Sequence, residues 1–409
     1  MKYFKNTELA KLYHVSEKSV RNWIEASKKG KVNLLLHEER GKSYVANISR
    51  NTTVIEELVQ KGKKFKNTRG QKAIVPTKKF YQRYNSKQIL DMISNIDIYR
   101  EIPYQYNYFN GGALHWDLYT QKLLNEKSSN YLTDILEILE IDTTYLDHIT
   151  EKYSHVNIID IGPGNCLPVR PLLEHLQSKG KLKRYVCLDT SHDMLSIAER
   201  NITKWFAEKV AFEAHVRDIN YDRFDDLVAG DSFGEEAEST VNIVLFLGGT
   251  IVNFREPAHS LHNIHDSMGK NDLLIFSLRL DSGRSRRYFD FTTASSTSTK
   301  GFRGKDLLDL LNIDEGHYEL EQFFDAEKMA RQTQVRFRVA VSIEFEYEDR
   351  KRVVSLNKDD TLLLWRATHQ NALHTIQQFD ENGFELLQAT RSKEQESIIL
   401  TSKIKHIVE

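Results

Sequence analysis

The clearest pattern in this chain is a series of short apolar runs, each of which ends near a glycine or a carboxylate. The runs lie at 157–161, 185–188, 241–247 and 273–278. Nearly continuous apolar runs of this length are typical of strands that are buried on both faces of a parallel sheet. Two further segments, 384–390 and 397–401, predict an antiparallel hairpin that closes one edge of the sheet. The pattern therefore predicts an α/β fold.

Apolar spacing in the rest of the chain predicts helices and one insertion. Residues 86–95 and 130–151 have the periodicity of amphipathic helices. An insertion at 281–355 separates the last parallel strand from the closing hairpin. It contains a Ser/Thr-rich loop at 292–299 and an alternating segment at 335–347, which predicts one long strand.

The turn after the first apolar run is the most specific chemical signal. Gly162 and Gly164 would let a ligand approach the backbone closely. The sequence that follows lacks both the third glycine of a dinucleotide fingerprint and the Gly-Lys-Ser/Thr of a phosphate-binding loop. Asp189 ends the next strand, where a carboxylate accepts hydrogen bonds from ribose hydroxyls. The sequence predicts an adenosine-type cofactor without a phosphate cradle.

The segment Asp160-Ile161-Gly162-Pro163-Gly164 resembles the first motif of class I methyltransferases that depend on S-adenosyl-L-methionine (SAM). The resemblance implies a Rossmann-like sheet and SAM as cofactor. It places Asp160 near the amino-acid end of SAM and Asp189 at the ribose. Asp218 is the carboxylate that lies near the adenine amino group in methyltransferases generally.

Two further segments resemble a narrower family, the histidine-specific Nα-methyltransferases. The aromatic stretch at 104–117 shares Tyr108, Gly112, Trp116 and Asp117 with that family, and by composition it would form a packed lid. The segment Phe246 to Asn253 is similar to the family's strand-four motif. There, Gly248 would let the chain pass the reactive sulfonium. Tyr108 and Asn253 would shape the acceptor site, with Asn253 offering both a carbonyl and an amide.

The same resemblance implies that the insertion at 281–355 is an α+β substrate-recognition subdomain. The segment at 361–367 aligns with the place where histidine-methylating members carry a glutamate and a serine or threonine that bind imidazole. Leu363 and Trp365 occupy those places here, and an apolar site would leave the imidazole nitrogens without partners. We therefore expect the methyl acceptor to be a small amine or amino-acid derivative other than histidine.

The first 70 residues have a different character. They contain 16 lysines and arginines against 7 glutamates, a net charge of +9 in a chain whose total is −1. Residues 7–13 and 16–24 predict two short helices, and 33–46 predicts a hairpin. This arrangement resembles the winged helix-turn-helix domains of the MerR and excisionase type. The resemblance implies DNA binding, with the side chains facing the major groove being Lys18, Ser19, Arg21 and Asn22.

A basic helical module could instead mediate protein contacts or self-association. A DNA reader of this size normally works as a homodimer or in tandem, and 53–59 is the segment that would form a dimerisation helix. The glycine-punctuated basic run at 61–70 predicts a linker that ends the module. The remaining predicted parts are a helical lid region at 71–150, the SAM-binding core at 151–280, and a C-terminal helix with the closing hairpin at 356–409.

Composition also bears on membrane contact, on location and on the roles of the two cysteines. No apolar run approaches the length that spans a bilayer, and the polar N-terminus does not resemble a signal peptide, so we expect a cytoplasmic protein without membrane contact. Cys166 and Cys187 are expected to be small packing residues, and no metal site is expected.

Two other classes of protein remain open. A DNA methyltransferase is disfavoured because residues 247–250 read Leu-Gly-Gly-Thr, without the Pro-Pro-Tyr/Phe loop or the Pro-Cys pair used on flipped bases. A transcription regulator that senses SAM or another ligand through this fold, without catalysis, is the alternative function.

Overall fold

The structure is a computed structural model that describes most of the chain. The described residues are 3–13, 15–39, 42–46, 51–56, 58–59, 73–108, 112–126, 130–229, 239–248, 250–280, 304–348, 350–368 and 371–405. They form two compact units. The first comprises Met1–Pro76 and Phe337–Asp360, and the second comprises Thr77–Arg336 and Thr361–Glu409.

The regular elements in the described residues are as follows. The helices are α1 (Asn6–Leu12), α2 (Glu17–Lys28), α3 (Lys78–Arg83), α4 (Ser86–Ser94), α5 (Gly112–Leu124), α6 (Tyr131–Ile149), α7 (Arg170–Ser178), α8 (His192–Phe206), α9 (Asp225–Ala229), α10 (Pro257–Ser267), α11 (Lys305–Leu310) and α12 (Ala372–Glu381). The strands are β1 (Tyr3–Phe4), β2 (Leu36–Glu39), β3 (Lys42–Ala46), β4 (His155–Ile161), β5 (Leu182–Asp189), β6 (Ala211–Val216), β7 (Thr240–Phe246), β8 (Leu273–Arg279), β9 (Tyr318–Asp325), β10 (Ala330–Phe337), β11 (Val341–Tyr347), β12 (Arg350–Leu356), β13 (Thr361–Thr368), β14 (Phe384–Arg391) and β15 (Ser397–Ile404). A π-helix, Asn95–Tyr99, continues α4, and 3₁₀ helices lie at Tyr104–Tyr108, Ala207–Lys209, Thr250–Asn253 and Glu315–His317.

The first unit is built on two short helices and a small sheet. The helices predicted at 7–13 and 16–24 are α1 and α2, and Ser16 caps α2 by accepting a 3.1 Å hydrogen bond from the Ser19 amide. The sheet has the order β1-β3-β2. Both helices pack on it through a buried apolar cluster that includes Leu9, Val20 and Val45. The hairpin β11–β12 also belongs to this unit, and Ile74 forms a parallel bridge to Ile343 of β11.

The second unit is organised by a seven-stranded sheet of order β14-β15-β8-β7-β4-β5-β6. The five strands from β8 to β6 are parallel, and β15 and β14 close the edge in antiparallel pairing. The predicted buried strands and closing hairpin are thereby confirmed. The chain runs outward from β4 through β5 to β6 and then returns to β7 on the other side of β4. Ligands of such sheets bind at this switch point, beyond the carboxyl ends of the strands.

Apolar residues cover both faces of this sheet. Alternate residues of β4 point to opposite faces, so Ile158 packs in one buried cluster and Ile159 in the other. The first cluster includes residues of α6, α7 and α8, and the second includes residues of α10 and α12. Helices on both faces account for the continuous apolar strands, because neither face is left to solvent.

The insertion differs from the prediction in one respect. The single strand predicted at 335–347 is wrong: the segment forms two strands, β10 and β11, which belong to different sheets. The chain leaves β10 at Phe337, whose amide donates to the Asp360 carbonyl at 2.9 Å. The neighbouring Val339 is 43% exposed, although it continues the apolar alternation. No helix in the described part of the chain combines the length and apolarity needed to cross a membrane.

Candidate active site

The turn after β4 has the backbone geometry that its glycines predict. Gly162 and Gly164 adopt φ angles of +65° and +56°, a region that disfavours side chains. The Gly162 amide donates to the Leu188 carbonyl at 2.8 Å, which holds the turn against β5. A Cβ atom on Gly164 would lie 3.2 Å from Nε1 of Trp116. The absence of side chains therefore leaves space between this turn and α5.

A buried carboxylate supports the same turn from β4. Asp160 is 3% exposed, and its Oδ2 accepts a 2.7 Å hydrogen bond from the Tyr185 hydroxyl. Burial raises the pKa of Asp160 to about 7, although the Tyr185 bond opposes that shift. A cationic ligand group beside Asp160 would favour its ionised form.

Two more carboxylates stand at the ends of the next parallel strands. Asp189 ends β5, and its Oδ1 accepts a 2.8 Å hydrogen bond from the Ser191 amide. Burial of the carboxylate raises the pKa of Asp189 to about 6. Asp218 follows β6 and is held by the amide and side chain of Asn220 at 3.0 and 2.9 Å and by the Gln105 side chain at 3.3 Å. Its pKa is raised by burial, against the hydrogen bonds from Asn220.

The loop after β7 supplies the opposite side of the site. Gly248 has a φ of +82°, and its amide donates to the Ser277 hydroxyl at 2.9 Å. The chain then turns through the 3₁₀ helix Thr250–Asn253. The Thr368 hydroxyl of β13 donates to the Val252 carbonyl at 3.0 Å, which ties this loop to the three-stranded sheet β13-β10-β9.

A cavity of about 200 Å³ lies beyond the carboxyl ends of these strands. Its wall brings together the residues predicted from sequence whose side chains or backbones are described, namely Asp160, Gly162, Gly164, Asp189, Asp218, Gly248 and Asn253. Tyr108 ends the 3₁₀ helix Tyr104–Tyr108. Its side chain lies outside the part of the chain that the structure describes.

The cavity also contains residues that sequence reasoning did not assign to the site. Trp116 lines it from α5, and Tyr104 lines it from the 3₁₀ helix that precedes α5. Both belong to the aromatic stretch predicted as a lid, and the aromatic composition of that stretch is the sequence signal that could have placed them at the site. Glu101 and Arg255 also line the cavity, and nothing in their local sequence marks them. Leu363 and Trp365 are on β13, and neither belongs to the described cavity wall.

Glu101 and Arg255 are part of a charged cluster on that wall. The Arg366 guanidinium of β13 donates to Oε2 of Glu101, and Nη1 of Arg255 lies 3.9 Å from the same oxygen. Burial raises the pKa of Glu101, and the two guanidinium groups oppose that shift. Nη1 of Arg255 also donates to Oδ1 of Asn95 at 3.1 Å.

Cys166 and Cys187 are buried and free. Cys166 follows the glycine turn and Cys187 is in β5, and both pack in the apolar cluster on one face of the sheet. In the described residues no group of three or more histidine, cysteine, aspartate or glutamate side chains is arranged to hold a metal ion.

The donor set fits SAM. Carboxylates lie near the carboxyl ends of three successive strands, the glycine turn leaves room for close approach, and the sequence provides no phosphate cradle. This sheet and site define a class I SAM-dependent methyltransferase. The sequence model of a family described as "Histidine-specific methyltransferase, SAM-dependent" matches residues 86–403, and the chain belongs to this family. Its cofactor is therefore SAM.

Solved structures of other methyltransferases resemble this fold at low sequence identity. A SAM-dependent methyltransferase from Clostridium acetobutylicum is 11% identical with a TM-score of 0.39, and the match covers 72% of this chain and 99% of that one. Magnesium protoporphyrin IX methyltransferase from Synechocystis, solved with bound SAH, is 11% identical with a TM-score of 0.40, covering 74% and 98%. Human N-acetylserotonin methyltransferase in complex with SAM is 11% identical with a TM-score of 0.36, covering 99% and 88%. Curated proteins gave no match.

Proposed function

We propose that this protein transfers the methyl group of SAM to a nitrogen of a small acceptor, an amine or amino-acid derivative other than histidine. The observation that carries the proposal is the position of Asn253. It lines the same cavity as Asp160, Asp189 and Asp218, and it follows the loop that begins at Gly248. An amide there can accept a hydrogen bond from an amine and donate one to a second acceptor group.

The residues of the site have separable tasks in such a transfer. Asp189 would hold the ribose hydroxyls and Asp218 the adenine amino group, while Gly162 and Gly164 would let the cofactor approach the turn. SAM supplies an electrophilic methyl group on a sulfonium. The chain contributes mainly by orienting the nucleophile in line and by excluding water, because displacement of this kind needs little acid or base assistance. Trp116 and Tyr104 form the aromatic part of the cavity wall.

An amine acceptor must lose a proton before attack. Its lone pair is available only in the neutral form, so a group or solvent path must take that proton. We assign this task to the Tyr108 hydroxyl or to an ordered water. Asn253 would then accept a hydrogen bond from the remaining N–H and hold the lone pair toward the methyl group.

The exclusion of histidine rests on β13. Leu363 is half-buried, and its backbone bonds to Arg100 and Ile102; Trp365 is buried. Neither side chain provides the acceptor and hydroxyl that an imidazole would need, and neither lines the described cavity, so these two positions supply no imidazole contact there.

Methyl transfer from labelled SAM to amines and amino acids tests the proposal. Asn253→Ala should lower kcat by about 10–100-fold and leave the SAM Kd within about two-fold, because the residue acts on the acceptor. Asn125→Ala, at an exposed asparagine outside this cavity, is the matched control and should change neither value. Equal losses of turnover and SAM affinity would instead place Asn253 in the cofactor site.

We further propose that residues 1–70 form a winged helix-turn-helix that binds DNA. Supporting this, α1 and α2 pack on the hairpin β2–β3, and Lys18, Arg21 and Asn22 are exposed on α2. A helix with exposed basic and amide side chains suits contacts in the major groove.

The exposed face of α2 also favours a second candidate function, a regulator that senses SAM without catalysis. Its signature would be SAM binding that changes affinity for DNA by about ten-fold, without methyl transfer to any acceptor. Lys18→Glu with Arg21→Glu should abolish DNA binding and leave SAM affinity unchanged. Loss of both activities in that variant would show a folding defect instead.

A further inference from the structure

One contact in the cavity wall joins the aromatic stretch to a carboxylate at the end of a parallel strand. Nε2 of Gln105, in the 3₁₀ helix Tyr104–Tyr108, donates to Oδ2 of Asp218 at 3.3 Å. Both residues line the cavity, and both are half-buried. They are 113 positions apart in sequence, so only the folded chain brings them together. The contact lies at the place that the proposed function gives to the adenine amino group.

The carboxylate of Asp218 keeps capacity for a further donor. Its Oδ1 accepts both bonds from Asn220, at 3.0 and 2.9 Å, and Asn220 is held in turn by the Ser260 hydroxyl at 3.0 Å. Among the described residues, Oδ2 accepts a hydrogen bond from Gln105 alone. A carboxylate oxygen has room for two such bonds. Oδ2 is therefore the oxygen that a ligand donor would meet.

Gln105 offers a second acceptor beside that oxygen. A side-chain amide carries two N–H donors on nitrogen and one acceptor oxygen. Because Nε2 faces the Asp218 carboxylate, Oε1 is directed away from it. No described residue donates a hydrogen bond to Oε1, and this atom is not fully buried. Two acceptors side by side suit the two hydrogens of one amino group.

The main chain of Gln105 is fixed by its neighbour Tyr106. Tyr106 is buried, and its hydroxyl donates to Oδ2 of Asp91 in α4 at 2.7 Å. Its amide donates to the Pro103 carbonyl at 3.2 Å, and its carbonyl accepts a 3.1 Å bond from the Tyr84 hydroxyl. A contact residue held in this way loses little conformational freedom when a ligand binds.

We infer that Gln105 determines specificity for the cofactor, because its amide and the Asp218 carboxylate together accept the two hydrogens of the adenine amino group. This inference rests on the placement of Asp218 at the adenine in the proposed function. It adds the residue that distinguishes adenine from a purine without that group. Acceptors that lose their water on binding and gain no donor make such a purine bind less tightly.

Binding of two ligands to the purified full-length protein tests the inference. The ligands are S-adenosylhomocysteine (SAH) and its 6-deamino analogue, in which hydrogen replaces the purine amino group. Neither ligand has a methyl group to transfer, so the test is independent of the acceptor. Calorimetry should show SAH binding about 30-fold or more tighter than the analogue. Equal affinities overturn the inference and the placement of Asp218, and methyl transfer from labelled SAM still tests the proposed function separately.

Substitution of Gln105 isolates its own part. Gln105→Met keeps the length of the side chain and removes the amide. It should lower SAH affinity by about ten-fold and leave the affinity for the analogue within about two-fold, because only SAH loses a contact. Gln105→Glu keeps an acceptor oxygen and should retain part of the preference for SAH, so it serves if the methionine variant folds poorly.

Gln388→Met is the matched control. Nε2 of Gln388 donates to Oδ1 of Asp142 at 2.6 Å, a bond of the same kind, and neither residue belongs to the described cavity wall. This variant should change the affinity for neither ligand. An equal fall for both ligands in Gln105→Met would show that Gln105 supports only the packing of the aromatic stretch. That result, or an unchanged SAH affinity, overturns the inference.

Discussion

Nε1 of Trp116 lies 3.2 Å from the position that a Cβ atom would occupy on Gly164. The indole comes from α5 and the glycine from the turn after β4, so two elements distant in sequence meet at one wall of the cavity. Asp117, the residue next to Trp116, secures this contact, because its Oδ1 accepts a 2.8 Å hydrogen bond from Asn165. The turn and the helix therefore hold each other in place.

Substitution of Gly164 tests that relationship. Gly164→Ala should lower SAM affinity by about ten-fold or more, because the methyl group would push against Trp116 and strain the turn. Titration of SAM into the purified variant measures the change.

Gly180→Ala is the matched control for this substitution. Gly180 has a similar φ of +67°, but no heavy atom lies within 4 Å of the position that its added methyl group would take. Both variants share a backbone strain of about 1–2 kcal/mol, so both should unfold more readily to a similar degree. SAM affinity should fall in Gly164→Ala alone, and an equal fall in both would attribute the effect to general destabilisation.

SAM affinity should depend on pH through Asp189. Burial raises the pKa of this carboxyl from 3.8 to about 6. The ionised form accepts hydrogen bonds from ribose hydroxyls more strongly, so affinity should rise as pH increases from about 5 to about 7. Calorimetry across this range measures the dependence, and in Asp189→Asn the step near pH 6 should be lost. A step that persists in the variant would assign it to another group.

The raised pKa of Asp189 makes the stability of the ligand-free protein depend on pH in the opposite direction to SAM affinity. The folded pKa lies above the ordinary value, so the folded state binds more protons than the unfolded state between about pH 4 and 6. The contribution of Asp189 to stability is therefore present below about pH 4 and is lost as pH rises through 6. Asp160, with a pKa raised to about 7, acts in the same direction.

The Glu101–Arg366 pair should show strong energetic coupling. Arg366→Met alone should lower the free energy of unfolding by about 3–5 kcal/mol, because it leaves a buried carboxylate without its main partner. Adding Glu101→Gln removes that charge and should restore part of the loss. Urea unfolding of both single variants and the double variant gives the coupling energy. Additive losses, within about 0.5 kcal/mol, would show that the pair is not a unit.

The sheet was predictable from sequence because its strands are buried on both faces. The runs that contain Ile158, Val186 and Ile243 are apolar with little interruption, and each proves to be a central strand. The positions of the glycine turn and of the carboxylates at 189 and 218 were predictable for a related reason: they depend on local sequence at strand ends.

Features that depend on tertiary packing were not visible. The break between β10 and β11 carries no glycine or proline, and Val339 keeps the apolar alternation while being exposed to solvent. The cluster of Glu101, Arg255 and Arg366 joins residues more than 100 positions apart. Only the folded chain brings them together, so no local pattern could indicate this cluster.

Binding of SAM and S-adenosylhomocysteine, measured by calorimetry on the purified protein and on Asp189→Ala, tests the central claim most directly. We predict micromolar binding to the intact protein and a loss of about 30-fold or more in the variant, because the ribose hydroxyls lose their carboxylate partner. The absence of binding to the intact protein would contradict the assignment of this cavity as a SAM site.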